Sequence, residues 1–239
     1  MFKPAAVLEL AYRADSNSAA REGLWVRVPP AVPNVVDLRI ACAASPPDPQ
    51  RCARFDDLGA TYAYLLGVYL GDGMLSAGRR DVWRLRITLD ARYPGIIART
   101  SDAIASIVGR PAGSTIRPGC LEVSSYWKHW ICLFPQHGVG PKHERKISLA
   151  PWQVDIVHRA EPAFLAGLIH SDGCRCLNRV KGRLYPRYFF STLSIDLRTL
   201  FVETCSSLGI ETRQAGSRNI AVSQRESVAT LDRLVGPKA

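Results

Sequence analysis

The sequence has no long apolar run: nowhere do about 18 consecutive residues stay apolar, so no transmembrane helix is predicted. Its first residues also lack the basic-then-apolar pattern of a secretory signal. We therefore expect a cytoplasmic protein that does not insert into a membrane.

Paired cysteines are absent as well. The seven cysteines are odd in number and form no C-x-x-C pair, which argues against a disulfide framework and against the common zinc ribbons. We expect free thiols. His129, Cys132, His137 and His143 are close in sequence, but their spacing matches no standard zinc-ligand pattern, so a core thiol among surface histidines is the favoured interpretation.

Residues 1–57 lack both an excess of charge and an amphipathic period. Seven basic and seven acidic side chains cancel there, and the clusters VPPAVP and ASPPDP interrupt helix and central strand alike. We predict a poorly ordered leader without a function of its own. Residues 14–19 and 25–30 can also be encoded by hairpin arms of a transfer-RNA gene, so the alternatives are an ordinary tail or a true start further along the chain.

What the chain has in excess is positive charge after residue 57. Residues 58–150 carry twelve basic and six acidic side chains, residues 151–239 carry twelve and eight, and the formal net charge is +10. Both segments would attract a polyanion. The 47% hydrophobic composition is sufficient for a buried core.

One apolar segment occurs twice, as LLGVYLGDG at 65–73 and as LAGLIHSDG at 165–173. Each predicts a helix that is apolar almost all round and is therefore buried on several sides. Small residues recur four apart on one face, at Gly67 and Gly71 in the first copy and at Gly167 and Ser171 in the second. Such faces favour close contact between two helices. The glycine after each copy, Gly73 or Gly173, is predicted to adopt the left-handed conformation that ends many helices.

Side-by-side packing of these helices sets Asp72 next to Asp172, and both lie at helix C-termini, where the dipole is already negative. Two carboxylates in such a place repel each other unless a cation lies between them or their pKa values rise. Hard divalent ions with oxygen ligands, Mg²⁺ above all, suit this arrangement. Helix capping is the alternative for either acid alone.

The two segments resemble the signature helices of LAGLIDADG homing endonucleases, in the single-chain form with two copies. The resemblance covers residues 58–239 and implies an α+β fold. Two pseudo-symmetric αββαββα halves, 58–150 and 151–239, would pack through the signature helices, and their antiparallel sheets would form a saddle over DNA. The resemblance further implies a monomer that binds double-stranded DNA at a long, pseudo-palindromic site. Asp72 and Asp172 would be catalytic and would bind Mg²⁺ or another divalent cation to make a staggered double-strand break.

The rest of the chain repeats in the same order. Residues 81–90 alternate apolar and basic side chains and predict a half-buried strand. A helix at 93–109, a hairpin at 114–126 and a closing helix at 127–134 follow, and the second half is predicted to repeat this from a hairpin at 175–194. VGPK ends at Lys142 in one half and at Lys238 in the other. In the family, a lysine in this place lies near the scissile phosphates; the alternative is a Gly-Pro helix terminator with a solvated lysine.

Basic side chains on the predicted strands and turns are the candidate DNA contacts. They are Arg79, Arg80, Arg84, Arg86 and Arg117 in the first half, and Arg175, Arg179, Lys181, Arg183, Arg187, Arg213 and Arg218 in the second. Arginine can pair bidentately with guanine, and phosphate contacts would supply most of the affinity. The alternative function is a DNA- or RNA-binding regulator or maturase that keeps the fold and cuts nothing.

Overall fold

The computed structural model describes residues 59–236, so the predicted leader 1–57 and Lys238 lie outside the described residues. The first half has seven elements in chain order: α1 (Gly59–Asp72), β1 (Gly73–Ala77), β2 (Trp83–Asp90), α2 (Pro94–Val108), β3 (Gly113–Arg117), β4 (Cys120–Trp127) and α3 (Trp130–Leu133). A 3₁₀ turn at Lys142–Glu144 and the helix α4 (Pro151–Arg159) lead to the second half.

The second half repeats the order with α5 (Glu161–Asp172), β5 (Gly173–Val180), β6 (Arg183–Ser191), α6 (Ile195–Ser207), β7 (Arg213–Gln214), β8 (Asn219–Val222) and α7 (Arg225–Leu234). The first sheet has the strand order β1-β2-β4-β3 and the second β5-β6-β8-β7, and all neighbours are antiparallel. The structure therefore confirms the predicted α+β architecture with two αββαββα halves.

The core lies between the sheets and the two central helices, α1 and α5. Residues 62–70 of α1 and 164–170 of α5 are all buried, as expected for helices without a polar face. Strand β2 alternates as predicted, with Leu85, Ile87 and Leu89 buried against the helices. The opposite, outer face of β2 carries Arg84, Arg86 and Thr88.

Helices α3 and α4 differ from what the sequence predicts. The closing helix of the first half is only one turn long, because Trp127 still belongs to β4 and pairs with Trp83 of β2. Helix α4 was not predicted at all; it lies against the N-terminal end of α1, where Gln153 Nε2 donates to Tyr62 Oη at 2.7 Å and Trp152 packs on the Tyr62 ring.

The glycines that follow the two central helices are not left-handed. Gly173 is extended, with φ −96° and ψ 159°. Gly73 is not among the described glycines that have a positive φ. A Cβ on Gly73 would lie 2.7 Å from the Cα of Tyr69, and one on Gly173 would lie 2.7 Å from the Cα of Ile169. Glycine is needed there because the chain turns back over the last helical turn and enters the strand directly.

None of the helices in residues 59–236 is long and apolar enough to cross a membrane. The described cysteines, Cys120, Cys132, Cys174, Cys176 and Cys205, are free thiols as predicted.

Candidate functional site

Helices α1 and α5 touch through their backbones at Gly67 and Gly167. A Cβ on Gly67 would lie 2.5 Å from the carbonyl oxygen of Phe164 and 2.9 Å from the amide nitrogen of Leu168. A Cβ on Gly167 would overlap the carbonyl oxygen of Tyr64. No side chain fits between the helices at this crossing, so the pair of glycines determines how closely they approach.

The second pair of small residues lies one turn further on. A Cβ on Gly71 would overlap the Ser171 side chain and would lie 3.2 Å from the carboxyl carbon of Asp172. The Ser171 hydroxyl bonds back to its own helix, to the carbonyl oxygens of Gly167 at 3.1 Å and Leu168 at 3.0 Å. The end of α1 therefore lies beside the acid of α5.

Asp72 and Asp172 are the last residues of α1 and α5, and each directly precedes the first strand of its sheet. Because the two helices contact each other down to Gly71 and Ser171, the two acids occupy the place where both sheets begin. Dipoles of both helices present their negative ends there.

The ammonium group of Lys142 caps the C-terminus of α1. Its Nζ donates to the carbonyl oxygens of Tyr69 at 2.5 Å, Leu70 at 3.2 Å and Gly71 at 2.9 Å, and it lies 5.0 Å from the centre of the Tyr69 ring. An ammonium has three hydrogens, so these carbonyls occupy all of them. They belong to the carbonyl groups that an α-helix leaves unpaired at its end.

Lys142 also interacts with both acids. Burial lowers the pKa of Lys142 to about 8, and the charges of Asp172 and Asp72 oppose that lowering. One partly buried cation thus lies within electrostatic reach of the two carboxylates. Sequence position alone could not show this contact, because the segment that carries Lys142 has no regular period.

The donor set suits a hard divalent cation. Asp72 and Asp172 offer carboxylate oxygens, which Mg²⁺ and Ca²⁺ prefer. Within residues 59–236, no group of three or more His, Cys, Asp or Glu side chains could hold a metal by itself. Water or a phosphate oxygen would therefore have to complete the coordination.

The outer face of the first sheet carries basic side chains in the predicted register. Arg84 and Arg86 of β2 lie on the face opposite Leu85 and Ile87. Arg84 Nη2 donates to Glu122 Oε1 of β4 at 2.6 Å, an ion pair that the sequence analysis did not predict. Glu122 and Arg84 are 38 residues apart, so only strand pairing brings them together.

Strand β5 does not follow the predicted common face. Pairing sets Arg175 opposite Tyr188 and Arg179 opposite Leu184, and Tyr188 is buried against the helices. Both arginines therefore lie on the sheet face opposite the one that carries Arg183 and Arg187, and contact between these two arginines and DNA stays a prediction. Arg175 instead binds Asp232 of α7, with Nε 2.8 Å from Oδ1 and Nη2 3.0 Å from Oδ2.

The remaining predicted contacts lie on outer faces, hairpin turns or strand ends. Arg183 and Arg187 share the outer face of β6, Arg79 and Arg80 are exposed in the β1–β2 turn, and Lys181 is exposed in the β5–β6 turn; Arg117, Arg213 and Arg218 are exposed at or beside β3, β7 and β8.

The three histidines and the cysteine considered as zinc ligands do not form a metal-binding group within residues 59–236. Cys132 is buried in α3, His129 packs edge to face on Trp127, and His137 packs on Trp83. Burial lowers the pKa of both His129 and His137.

His170 of α5 forms a buried contact between the halves. Its Nδ1 lies 3.0 Å from the hydroxyl oxygen of Tyr64 on α1, and the two rings meet edge to face at 5.6 Å. Tyr64 Oη also lies 3.4 Å from Thr100 Oγ1 of α2. No sequence period indicates this pair, because it depends on the crossing of α1 and α5.

No family model matches the sequence, and no curated protein matches it. Among solved structures, the LAGLIDADG meganuclease I-AabMI bound to uncleaved DNA shares 10% identity over 72% of this chain and 82% of its own, with a TM-score of 0.48. The N-terminal LAGLIDADG domain of DUF199/WhiA shares 11% identity over 77% and 84%, with a TM-score of 0.47. The homing endonuclease I-WcaI bound to its DNA recognition sequence shares 13% identity over 75% and 81%, with a TM-score of 0.49. Two of these three structures are of LAGLIDADG proteins, the family that the two repeated segments of this chain resemble.

Proposed function

We propose that this chain is a site-specific DNA endonuclease that hydrolyses phosphodiester bonds and leaves a staggered double-strand break. The observation that supports it most is the position of Asp72 and Asp172 at adjoining helix ends, within reach of the same partly buried cation. Two like charges at two negative helix ends oppose folding. A role in binding a divalent cation explains why both acids are there.

Asp72 and Asp172 would hold Mg²⁺, which activates water and stabilises a leaving oxygen when bound. Lys142 acts on these acids and not on the substrate, because its three hydrogens are used by carbonyl oxygens of α1. It fixes the last turn of α1 and offsets the negative charge there before a metal arrives. We therefore assign Lys142 as a positioning residue and leave Lys238 as a prediction.

Double-stranded DNA would lie across the outer faces of the two sheets. The proposed contacts are Arg84, Arg86, Arg183 and Arg187 on the strands, Arg79, Arg80 and Lys181 at the turns, and Arg117, Arg213 and Arg218 near the strand ends. Phosphate contacts would supply most of the affinity, so binding should weaken steeply with salt. The two unequal halves in one chain suit a monomer on a long, imperfectly palindromic site.

The test uses a library of randomised duplex DNA with Mg²⁺, in which cut ends are captured and sequenced, followed by a supercoiled plasmid carrying the enriched site. Wild-type protein should convert that plasmid to linear product. Asp72→Asn or Asp172→Asn should abolish the linear product and keep folding and most of the affinity, because these acids oppose the approach of phosphate.

Asp102→Asn is the matched control, since it removes one exposed carboxylate from α2. It should cut like the wild type. Equal loss of DNA binding in the Asp72 and Asp172 variants would contradict the assignment of these acids to metal binding.

A DNA- or RNA-binding regulator or maturase on the same fold is the second candidate. The capping contact of Lys142 favours it, because the ammonium group lies near both carboxylates and offsets part of their repulsion. Specific retention of the enriched plasmid with no nicked or linear product in Mg²⁺ would support this function over cleavage.

A further inference from the structure

The outer face of the first sheet contains one buried carboxylate, Glu122 at the middle of β4. Its side chain is 8% exposed, and its Oε1 accepts from Arg84 Nη2 at 2.6 Å. Its Oε2 lies 4.0 Å from Nη2 of Arg117, whose side chain is 58% exposed. One carboxylate therefore connects arginines from the two strands that flank β4.

A carboxylate in this place weakens a surface that is meant to attract phosphate. Negative charge on the binding face lowers affinity for a polyanion, and burying the charge has a desolvation cost. Neither affinity nor stability therefore accounts for Glu122. What the carboxylate does supply is geometry, because it determines where the Arg84 guanidinium lies.

Arg84 is held on more than one side. Glu122 binds one of its terminal nitrogens, and the Tyr126 ring lies 5.4 Å from its central carbon. The Nε atom is buried and makes no hydrogen bond among the described residues. The side chain nevertheless stays 28% exposed, so part of it remains accessible from solvent.

The second sheet provides an internal comparison. Ile87 pairs with Gly73 and Val123 in the first sheet, as Phe190 pairs with Gly173 and Ile220 in the second. Arg84 precedes Ile87 by three residues in β2, and Arg187 precedes Phe190 by three residues in β6. Glu122 directly precedes Val123 in β4, and the equivalent residue in β8, directly before Ile220, is Asn219. Arg187 lies 4.9 Å from the Phe189 ring and has no ion pair within the described part of the chain.

We propose that Glu122 is a specificity-determining positioning residue: it orients Arg84, and to a lesser degree Arg117, towards base edges in one half-site. Arginine distinguishes guanine only when its nitrogens meet two acceptors in a fixed geometry. The protein therefore discriminates between bases more strictly near Arg84, in the half-site bound by the first sheet, than near Arg187, in the other half-site. This inference rests on the proposed DNA binding and not on cleavage.

The experiment compares Glu122→Gln with the wild-type full chain, by selection from randomised duplex DNA at one salt concentration and by measured affinities for single-base variants of the enriched site. Glu122→Gln should bind unrelated DNA more tightly, because one negative charge is gone. Its discrimination should fall about tenfold at one or two base pairs of one half-site, the effect of one lost bidentate contact. The other half-site should keep its profile.

Asp90→Asn is the matched control. Asp90 ends the same strand as Arg84 and pairs with the exposed Arg92, so the variant has the same change of charge on the same sheet. It should raise affinity for unrelated DNA and leave the base preferences intact. Arg84→Lys provides a second test if Glu122→Gln fails to fold, because it keeps the charge and loses the two-pronged geometry; it should relax the same base pairs.

Each outcome bears on one of the two proposals. A relaxed profile in only one half-site supports the role of Glu122. An unchanged profile, or an equal loss across both half-sites, overturns it while the proposed function stands. A wild-type protein that enriches no sequence overturns the proposed function and the role of Glu122 with it.

Discussion

Replacing Gly67 by alanine tests how closely the two central helices approach. The added methyl group would lie 2.5 Å from the carbonyl oxygen of Phe164 and 2.9 Å from the amide nitrogen of Leu168. Both are backbone atoms of α5, so no side chain can rotate to make room. The helices must separate by several tenths of an ångström or more, and the effect should be a loss of stability.

The magnitude follows from two opposing effects. Alanine in place of an interior helical glycine favours the helix by about 1 kcal/mol. Overpacking a close contact typically costs about 1–3 kcal/mol, and backbone neighbours place this site at the upper end. The expected net loss is about 2 kcal/mol in the free energy of unfolding, or about 5 °C in Tm for a chain of this size. Gly167→Ala should behave alike, because its Cβ would overlap the carbonyl oxygen of Tyr64.

The assay is urea unfolding of the full chain, followed by fluorescence and by circular dichroism. Gly95→Ala is the control: Gly95 is exposed in the first turn of α2, so alanine there should be neutral or raise stability by up to about 1 kcal/mol. The double variant of Gly67 and Gly167 should lose less than the sum of the single losses, because one methyl group already separates the helices. A Gly67→Ala protein as stable as the wild type would refute direct backbone contact between α1 and α5.

Three further results are expected. Lys142→Met leaves three carbonyl groups at the end of α1 without their donor. It should lower the unfolding free energy by about 1–3 kcal/mol in metal-free buffer. Normal stability together with lost cleavage would instead indicate that this lysine contacts the substrate. Asp81→Gly should raise the unfolding free energy by about 1 kcal/mol, because Asp81 and Arg80 both have a φ of 58° in the β1–β2 turn, and glycine adopts a positive φ without strain. An unchanged urea midpoint would count against backbone strain at this turn. Asp232→Asn should reduce stability at pH 7, because hydrogen bonds from Arg175 lower the pKa of Asp232 below its ordinary value of 3.8. A carboxylate whose pKa is lowered in the folded state stabilises the protein above pH 4, and this stability is lost as the pH falls through the pKa of the folded state. The difference between the urea midpoints of the variant and the wild type should therefore shrink below pH 4. A constant difference from pH 7 to pH 3 would exclude this linkage.

Local periodicity determined the parts of the fold that the sequence predicted well. The two all-apolar helices, the alternation of β2 and the repeat of elements in both halves depend on residues close together in the chain, and the burial of one face follows from spacing alone. The same reasoning placed small residues four apart at the helix contact. For these features, side-chain size and polarity were sufficient.

Only the tertiary structure decided which distant groups meet. Arg175 was expected on the outer face, but β5 begins directly after α5, and its register with buried Tyr188 turns that arginine towards α7. Lys142 was singled out only by its place in the repeated VGPK, and its contact with the end of α1 appears only in the folded chain. The pairing of Glu122 with Arg84 joins β4 to β2. Strand register and helix crossing depend on the packing of the whole core, so no local pattern encodes them.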